Sequence, residues 1–183
     1  MLVLGVNAAF HDPSAALIAD GVTIAAAEEE RFSRRKHGKQ PVPFSAWELP
    51  EQAARWCLAH ANVGPEDLDA VAYSYDPSLA GPVDGDVTAD GWEALRTLYT
   101  RRAPLFLKTA LPGLDPAIVR FVAHHVAHAA SAYHAAPDER SAVLVLDGRG
   151  ERGSRLAGRD RLGRRGHQVH RPRRRDLLPR PAA

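Results

Sequence analysis

The sequence predicts a mixed α/β domain, and three observations predict it. Short apolar runs open the chain on either side of an Asp-Gly pair, helical patterns then alternate with further apolar runs, and the last such run, residues 142–146, ends on Asp147-Gly148. A hairpin followed by αβ units gives a mixed sheet with helices on its faces.

Each element follows from its residues. LVLGVN (2–7) is an apolar run stopped by Asn7 and suits a buried strand. AALIAD (15–20) and VTIAAA (22–27) flank Asp20-Gly21, the signal of a tight hairpin, so three antiparallel strands are expected with an exposed turn over 8–14. Residues 31–45 are basic, then rich in proline and polar groups, and read as a loop. Pro50-Glu51 suits a helix start, with Ala54, Cys57, Leu58 and Ala61 on one face and Gly64-Pro65 as the stop. A strand is expected over 69–75, a loop over 76–90, helices over 91–100 and 104–111, a strand over 119–123, a helix over 125–135 and a buried strand over 142–146. This order resembles half of an actin-like or sugar-kinase-like (ribonuclease H-like) fold, in which two similar halves enclose a nucleotide cleft.

With 183 residues, 45% of them hydrophobic, the chain has enough for one core. No apolar run approaches the roughly 18 residues of a membrane span. The start, MLVLGVNAAFHD, has no basic leader, so no signal peptide is expected. A single cysteine, Cys57, excludes an internal disulfide and any multi-cysteine metal site within these residues, and points to the cytoplasm. Charge divides the chain. Residues 1–148 carry a net −7 and residues 149–183 a net +9, with 12 arginines and no aromatic residue in the latter. Such a segment has too little apolar surface to offset its ordering entropy, so a domain over 1–154 and a disordered tail over 155–183 are expected.

The sharpest chemistry lies in FVAHHVAHAASAYH. His124 and His128 stand four apart, which on a helix puts both imidazoles on one face within reach of one cation; His125 with His128 is a weaker pair. Nineteen residues beyond His128, Asp147 ends a strand, where α/β folds place ligand-binding groups. Two histidines and a carboxylate suit Fe(II), Mn(II) or Zn(II). The plain alternative is a pair of core histidines and a turn aspartate. In the first turn Asn7, His11, Asp12 and Ser14 cluster. A neutral histidine can act as acid or base near neutral pH, and a serine can donate to an anionic oxygen; an Asp-Pro turn with no chemistry is the other reading. In EEERFSRRKHGK, Glu28 and Glu30 would share one strand face and Glu29 the other. The following Arg31, Arg34, Arg35, Lys36 and Lys39 could clamp a phosphate or form a solvated charge run.

Taken together, GVNAAFHDPSAAL, AAAEEERFSRRKHG, AARWCLAHANV, HHVAHAASAYHAAP and AVLVLDGRGERGS resemble, in order, the amino-terminal domain of the carbamoyltransferase family, the nodulation-protein and antibiotic-tailoring group, from about residue 2 to about residue 158. The resemblance implies an actin-like catalytic domain. It also implies a second domain that makes carbamoyl-adenylate from carbamoyl phosphate and ATP, and transfer of the carbamoyl group to a hydroxyl of a small natural product at a divalent metal, iron foremost. It implies His124, His128 and Asp147 as metal ligands, His11 beside the reacting carbamoyl group, and Lys36 as an anion contact; Asn7, Asp12 and Ser14 fall in the turn that approaches nucleotide phosphates in actin-like folds. No membrane partner is implied. After Ser154 the text leaves the family pattern and becomes Arg-, Pro- and Gly-rich, as a shifted reading frame near residues 155–160 would produce, so a truncated and inactive remnant is a competing expectation. Others are an actin-like kinase or ATPase, although no Gly-x-Gly turn follows the first strand, and a nucleic-acid binder acting through the arginine tail. That tail lacks interleaved aromatics and would support only non-specific, salt-sensitive binding.

Overall fold

A computed structural model describes residues 1–38, 49–80 and 91–137, with 143 and 145. Within them the chain forms β1 (Leu2–Asn7), β2 (Ser14–Ala19), β3 (Val22–Glu28), the short α1 (Glu30–Ser33), α2 (Glu51–Ala61), β4 (Ala70–Tyr73), α3 (Gly91–Ala110), β5 (Val119–Phe121) and α4 (His124–Ala135). The strands make one mixed sheet in the order β3-β2-β1-β4-β5. β1, β2 and β3 pair antiparallel, whereas β4 and β5 add parallel to β1. Mixed α/β architecture is therefore observed. The strand expected over 142–146, Asp147 and the tail over 155–183 lie outside the described residues.

The Asp20-Gly21 turn forms as its residues require. Both have positive φ, 49° and 82°, which matches the twist of a two-residue hairpin. Alternation along the strands then sorts two faces. Leu4, Val6, Ala15, Leu17, Val71 and Tyr73 are buried with Ala53, Ala54, Cys57 and Leu58 of α2, and Ala103 and Leu107 of α3, in one core. The opposite face carries Gly5, Asn7, Ala16, Ala26 and Ala72, small side chains lining a groove of about 880 Å³ that α4 borders through Ala127, Ala130 and Ser131.

Four details differ from the sequence pattern. The helix begun at Glu51 stops at Asn62, before Gly64-Pro65: Asn62 takes a left-handed φ of 55° and its N–H reaches the Ala59 and Leu58 carbonyls, the C-cap role asparagine shares with glycine. No break separates 91–100 from 104–111; α3 runs through Pro104. Proline removes one N–H and crowds the preceding turn, but Ala103, Leu107 and Ala110 are buried around it, and tertiary packing of that face outweighs the local loss. The turn over 8–14 is not exposed throughout, because Ala8, Ala9 and Pro13 are buried and, of its residues, only His11 is exposed. Glu28 ends β3 and Glu30 opens α1, so the three glutamates do not continue one strand. Between them Glu29 is 2% exposed. Its carboxylate accepts from the backbone N–H of Ala53 at 2.8 Å and of Gln52 at 3.2 Å, and from the Gln52 amide at 3.2 Å. It thereby serves the first turn of α2, where Pro50 supplies no side-chain cap. Among the described residues no helix is long and apolar enough to cross a membrane.

Candidate functional site

Polar and titratable side chains gather at the end of the sheet where β1 and β4 finish. Asn7 lies opposite Ser14 in the β1–β2 register, and β4 runs parallel to β1, so Ser74 emerges beside them. The Asn7 side-chain oxygen, Oδ1, accepts from the Ser74 hydroxyl at 2.8 Å. Its amide donates to the backbone oxygens of His11 and Asp12, both at 3.0 Å. Asn7 thus folds the first turn back onto the sheet, and its polar atoms are engaged in doing so.

β5 feeds directly into α4, which places His124 in the first turn of that helix, buried against the Phe10 ring at 4.6 Å between centroids. The buried Arg96 of α3 stacks on the same ring, its Cζ 4.4 Å from the centroid, and donates through Nε to the Ala9 carbonyl at 3.1 Å. The polar and aromatic layers together fix the His124 ring. Its Nδ1 lies 3.1 Å from the Ser74 carbonyl. A carbonyl only accepts, so Nδ1 carries the proton and Nε2 is bare. One helical turn later His128 brings its own Nε2 to 3.1 Å from that of His124. With no cation between them, the His128 Nε2–H donates to His124 Nε2. That separation also fits two nitrogens on one ion, because bonds of about 2.1 Å at a right angle put ligand atoms about 3 Å apart. A ligand histidine whose other nitrogen donates to a backbone carbonyl is the usual outer arrangement of a metal site. The two nitrogens are spaced as two ligands of one divalent ion would be, and among the described residues no third histidine, cysteine or carboxylate joins them.

These histidines and the first turn share one cavity of about 280 Å³, walled by Asn7, Phe10, His11, Ser14, Ser74 and His124 with Ala127, His128 and Ser131 behind. It opens into the wider groove, with which it shares Asn7, Ser14, Ser74, Ala127 and Ser131. Five residues singled out by sequence, Asn7, His11, Ser14, His124 and His128, are thus brought together. Asp12 sits just behind them, at a left-handed φ of 51° that aspartate tolerates better than most residues. Its carboxylate meets His11 Nδ1 at 2.5 Å and His37 Nδ1 at 2.7 Å. These two imidazoles, His37 first, hold the Asp12 carboxyl below the usual aspartate range. Lys36, one residue before His37, is exposed and lies outside the cavity lining. Asp147 falls outside the described residues.

Sequence reasoning missed His37, Ser74, Phe10 and Arg96. His37 was hidden inside a basic run, where its neighbours suggested charge rather than a hydrogen-bond partner. Ser74 had one available signal, its place at the carboxyl end of a strand. Phe10 and Arg96 meet across 86 residues of chain, which no local pattern encodes.

Residues 2–80 match the family described as Carbamoyltransferase N-terminus. The chain is 31% identical over 178 residues to the uncharacterized protein sll1178 of Synechocystis sp., across 81% of this chain and 26% of that protein. It is 33% identical over 160 residues to the nodulation protein NolNO of Sinorhizobium fredii, across 82% of this chain and 21% of that protein. A shorter match, 39% over 67 residues, is to an uncharacterized 19.2 kDa protein of Rhizobium etli, across 37% of this chain and 34% of that protein. The chain thus spans 26% and 21% of the length of the first two relatives.

Proposed function

Since residues 2–80 place this chain in the carbamoyltransferase family, we propose that it is the amino-terminal part of an O-carbamoyltransferase that moves a carbamoyl group onto a hydroxyl of a small natural product. In this reading the group comes from carbamoyl phosphate through a carbamoyl-adenylate made with ATP, and the five-stranded sheet is the opening half of an actin-like domain. The observation that carries it is the cavity where Asn7, His11, Ser14, His124 and His128 meet, since it combines a base, hydroxyl donors and a metal-fitting pair.

A carbamoyl carbon is a poor electrophile because its nitrogen donates into the carbonyl, and adenylation supplies the better leaving group. His124, His128 and Asp147 would hold the metal, Fe(II) foremost and Mn(II) or Zn(II) otherwise. When bound, the metal supplies Lewis acidity toward a carbonyl or phosphate oxygen. The acceptor oxygen forms the new bond to the carbamoyl carbon, the carbon–oxygen bond to the adenylate phosphate breaks, and AMP leaves with the electron pair. His11 takes the acceptor proton at Nε2, its Nδ1 being turned to Asp12. Ser14 donates to an anionic oxygen in the cavity, and Lys36 draws the phosphate toward its mouth through long-range attraction. A reducing cytoplasm suits both Fe(II) and the buried, unpaired Cys57.

The test supplies the chain with the rest of a full-length relative, the second half of its actin-like domain and its adenylate-forming domain, together with radiolabelled carbamoyl phosphate, ATP, Fe(II) and a panel of hydroxyl acceptors. Label appearing on an acceptor, and lost with His11→Asn, is the expected result. Phosphate transfer from ATP to a sugar without any need for carbamoyl phosphate would replace this reading with that of a kinase.

A further inference from the structure

We propose that Asp12 is a positioning residue that sets the tautomer of two imidazoles at once, His11 at the cavity and His37 on the basic segment, so that both present a bare Nε2. The two carboxylate oxygens are divided between the rings. Oδ2 lies 2.5 Å from His11 Nδ1 and Oδ1 lies 2.7 Å from His37 Nδ1. An ionised carboxylate only accepts, so each Nδ1 must be the donor and each neutral ring must leave Nε2 without a proton. The low-lying Asp12 carboxyl is consistent with that ionised state.

The surrounding backbone holds this arrangement from both sides. Asn7 clamps the Asp12 and His11 carbonyls. The Asp12 N–H donates to the His37 carbonyl at 3.2 Å, and the His37 N–H donates to Glu30 Oε2 at 3.2 Å. Asp12 and His37 both occupy the left-handed region, with φ of 51° and 60°, so two turns 25 residues apart are each bent to meet at one carboxylate. The rings themselves stay open, His11 being 62% and His37 51% exposed at the side chain. Two consequences follow. His11 is preset as a proton acceptor at Nε2. Lys36 is carried by the segment that Asp12 anchors, so one side chain registers the base and the cation against each other. The catalytic meaning of this rests on the function proposed above, whereas the hydrogen-bond assignment does not.

Long-range proton–nitrogen correlation spectra of the histidines at about pH 8, above the ordinary imidazole range, test it, with His11→Asn and His37→Asn assigning the signals. In the unaltered chain both rings should show the Nδ1–H tautomer. Asp12→Asn keeps a residue suited to positive φ but offers one acceptor and one donor group, so only one ring should stay Nδ1–H. An Nε2–H tautomer in either ring of the unaltered chain, or two unchanged rings in the variant, would overturn the proposal. Should the variant not fold, the unaltered spectra alone decide in the same way. Tautomers as expected without any carbamoyl transfer would remove the proposed function and leave this positioning role intact.

Discussion

His124 and His128 hold two Nε2 atoms 3.1 Å apart, and the Ser74 carbonyl decides which of the two carries the proton. A cation must displace that shared proton and move it to His128 Nδ1. We expect the chain to bind Zn(II) as a diamagnetic probe, and His124→Ala or His128→Ala to weaken binding by roughly 10-fold or more, in line with losses from removing metal-site contacts. Competition titration against a coloured chelator measures this; equal affinity in all three proteins would remove the assignment. At this scale the sequence was informative where spacing sufficed. The i, i+4 pair was visible because a helix makes it a neighbour pair. The link from Asp12 to His37 was not visible, because it depends on two left-handed turns meeting, and nothing in a basic run says where its chain bends.

At the scale of elements, Glu29 ties the end of β3 to the start of α2. Removing its carboxylate by Glu29→Ala strands the backbone N–H groups of Gln52 and Ala53. That substitution is expected to cost about 1–3 kcal/mol in urea unfolding, the usual penalty for buried groups left unpaired. Glu29→Gln keeps one acceptor oxygen and should fall between. No loss in Glu29→Ala would show that water replaces the carboxylate freely. Most elements were legible because their patterns are local: the Asp-Gly hairpin, the apolar strands and the periodic helices. Two boundaries were not. Asn62 ended a helix by adopting a left-handed cap, and Pro104 failed to end one, since burial along α3 is set by the sheet it covers and not by its own sequence.

For the whole molecule, Asp12 joins segments distant in the chain, and its ionisation therefore bears on global stability. Its folded pKa is depressed. The stabilisation it gives is complete above the unfolded aspartate value and is lost as pH falls through the lower folded value. The thermal stability gap between the unaltered chain and Asp12→Asn should thus be widest above about pH 5 and narrow toward about pH 2, as followed by circular dichroism. A gap constant with pH would mean that the carboxylate charge contributes nothing. The α/β class was legible from the alternation of patterns along the chain, while the sheet order β3-β2-β1-β4-β5 was not, because placing β4 beside β1 depends on a crossover that composition does not record.

One face of that sheet presents Gly5, Ala16, Ala26 and Ala72. Side chains act as spacers between layers, and at these four positions none extends beyond a methyl group. Among the described residues, a Cβ added at Gly5 would touch only the Ala16 carbonyl oxygen, at 3.6 Å. Whatever rests on this floor meets peptide groups at close range, nearer than the roughly 10 Å that separates ordinary packed sheets. Its fit at these positions follows the backbone, and a leucine-sized side chain there would fill the space it needs.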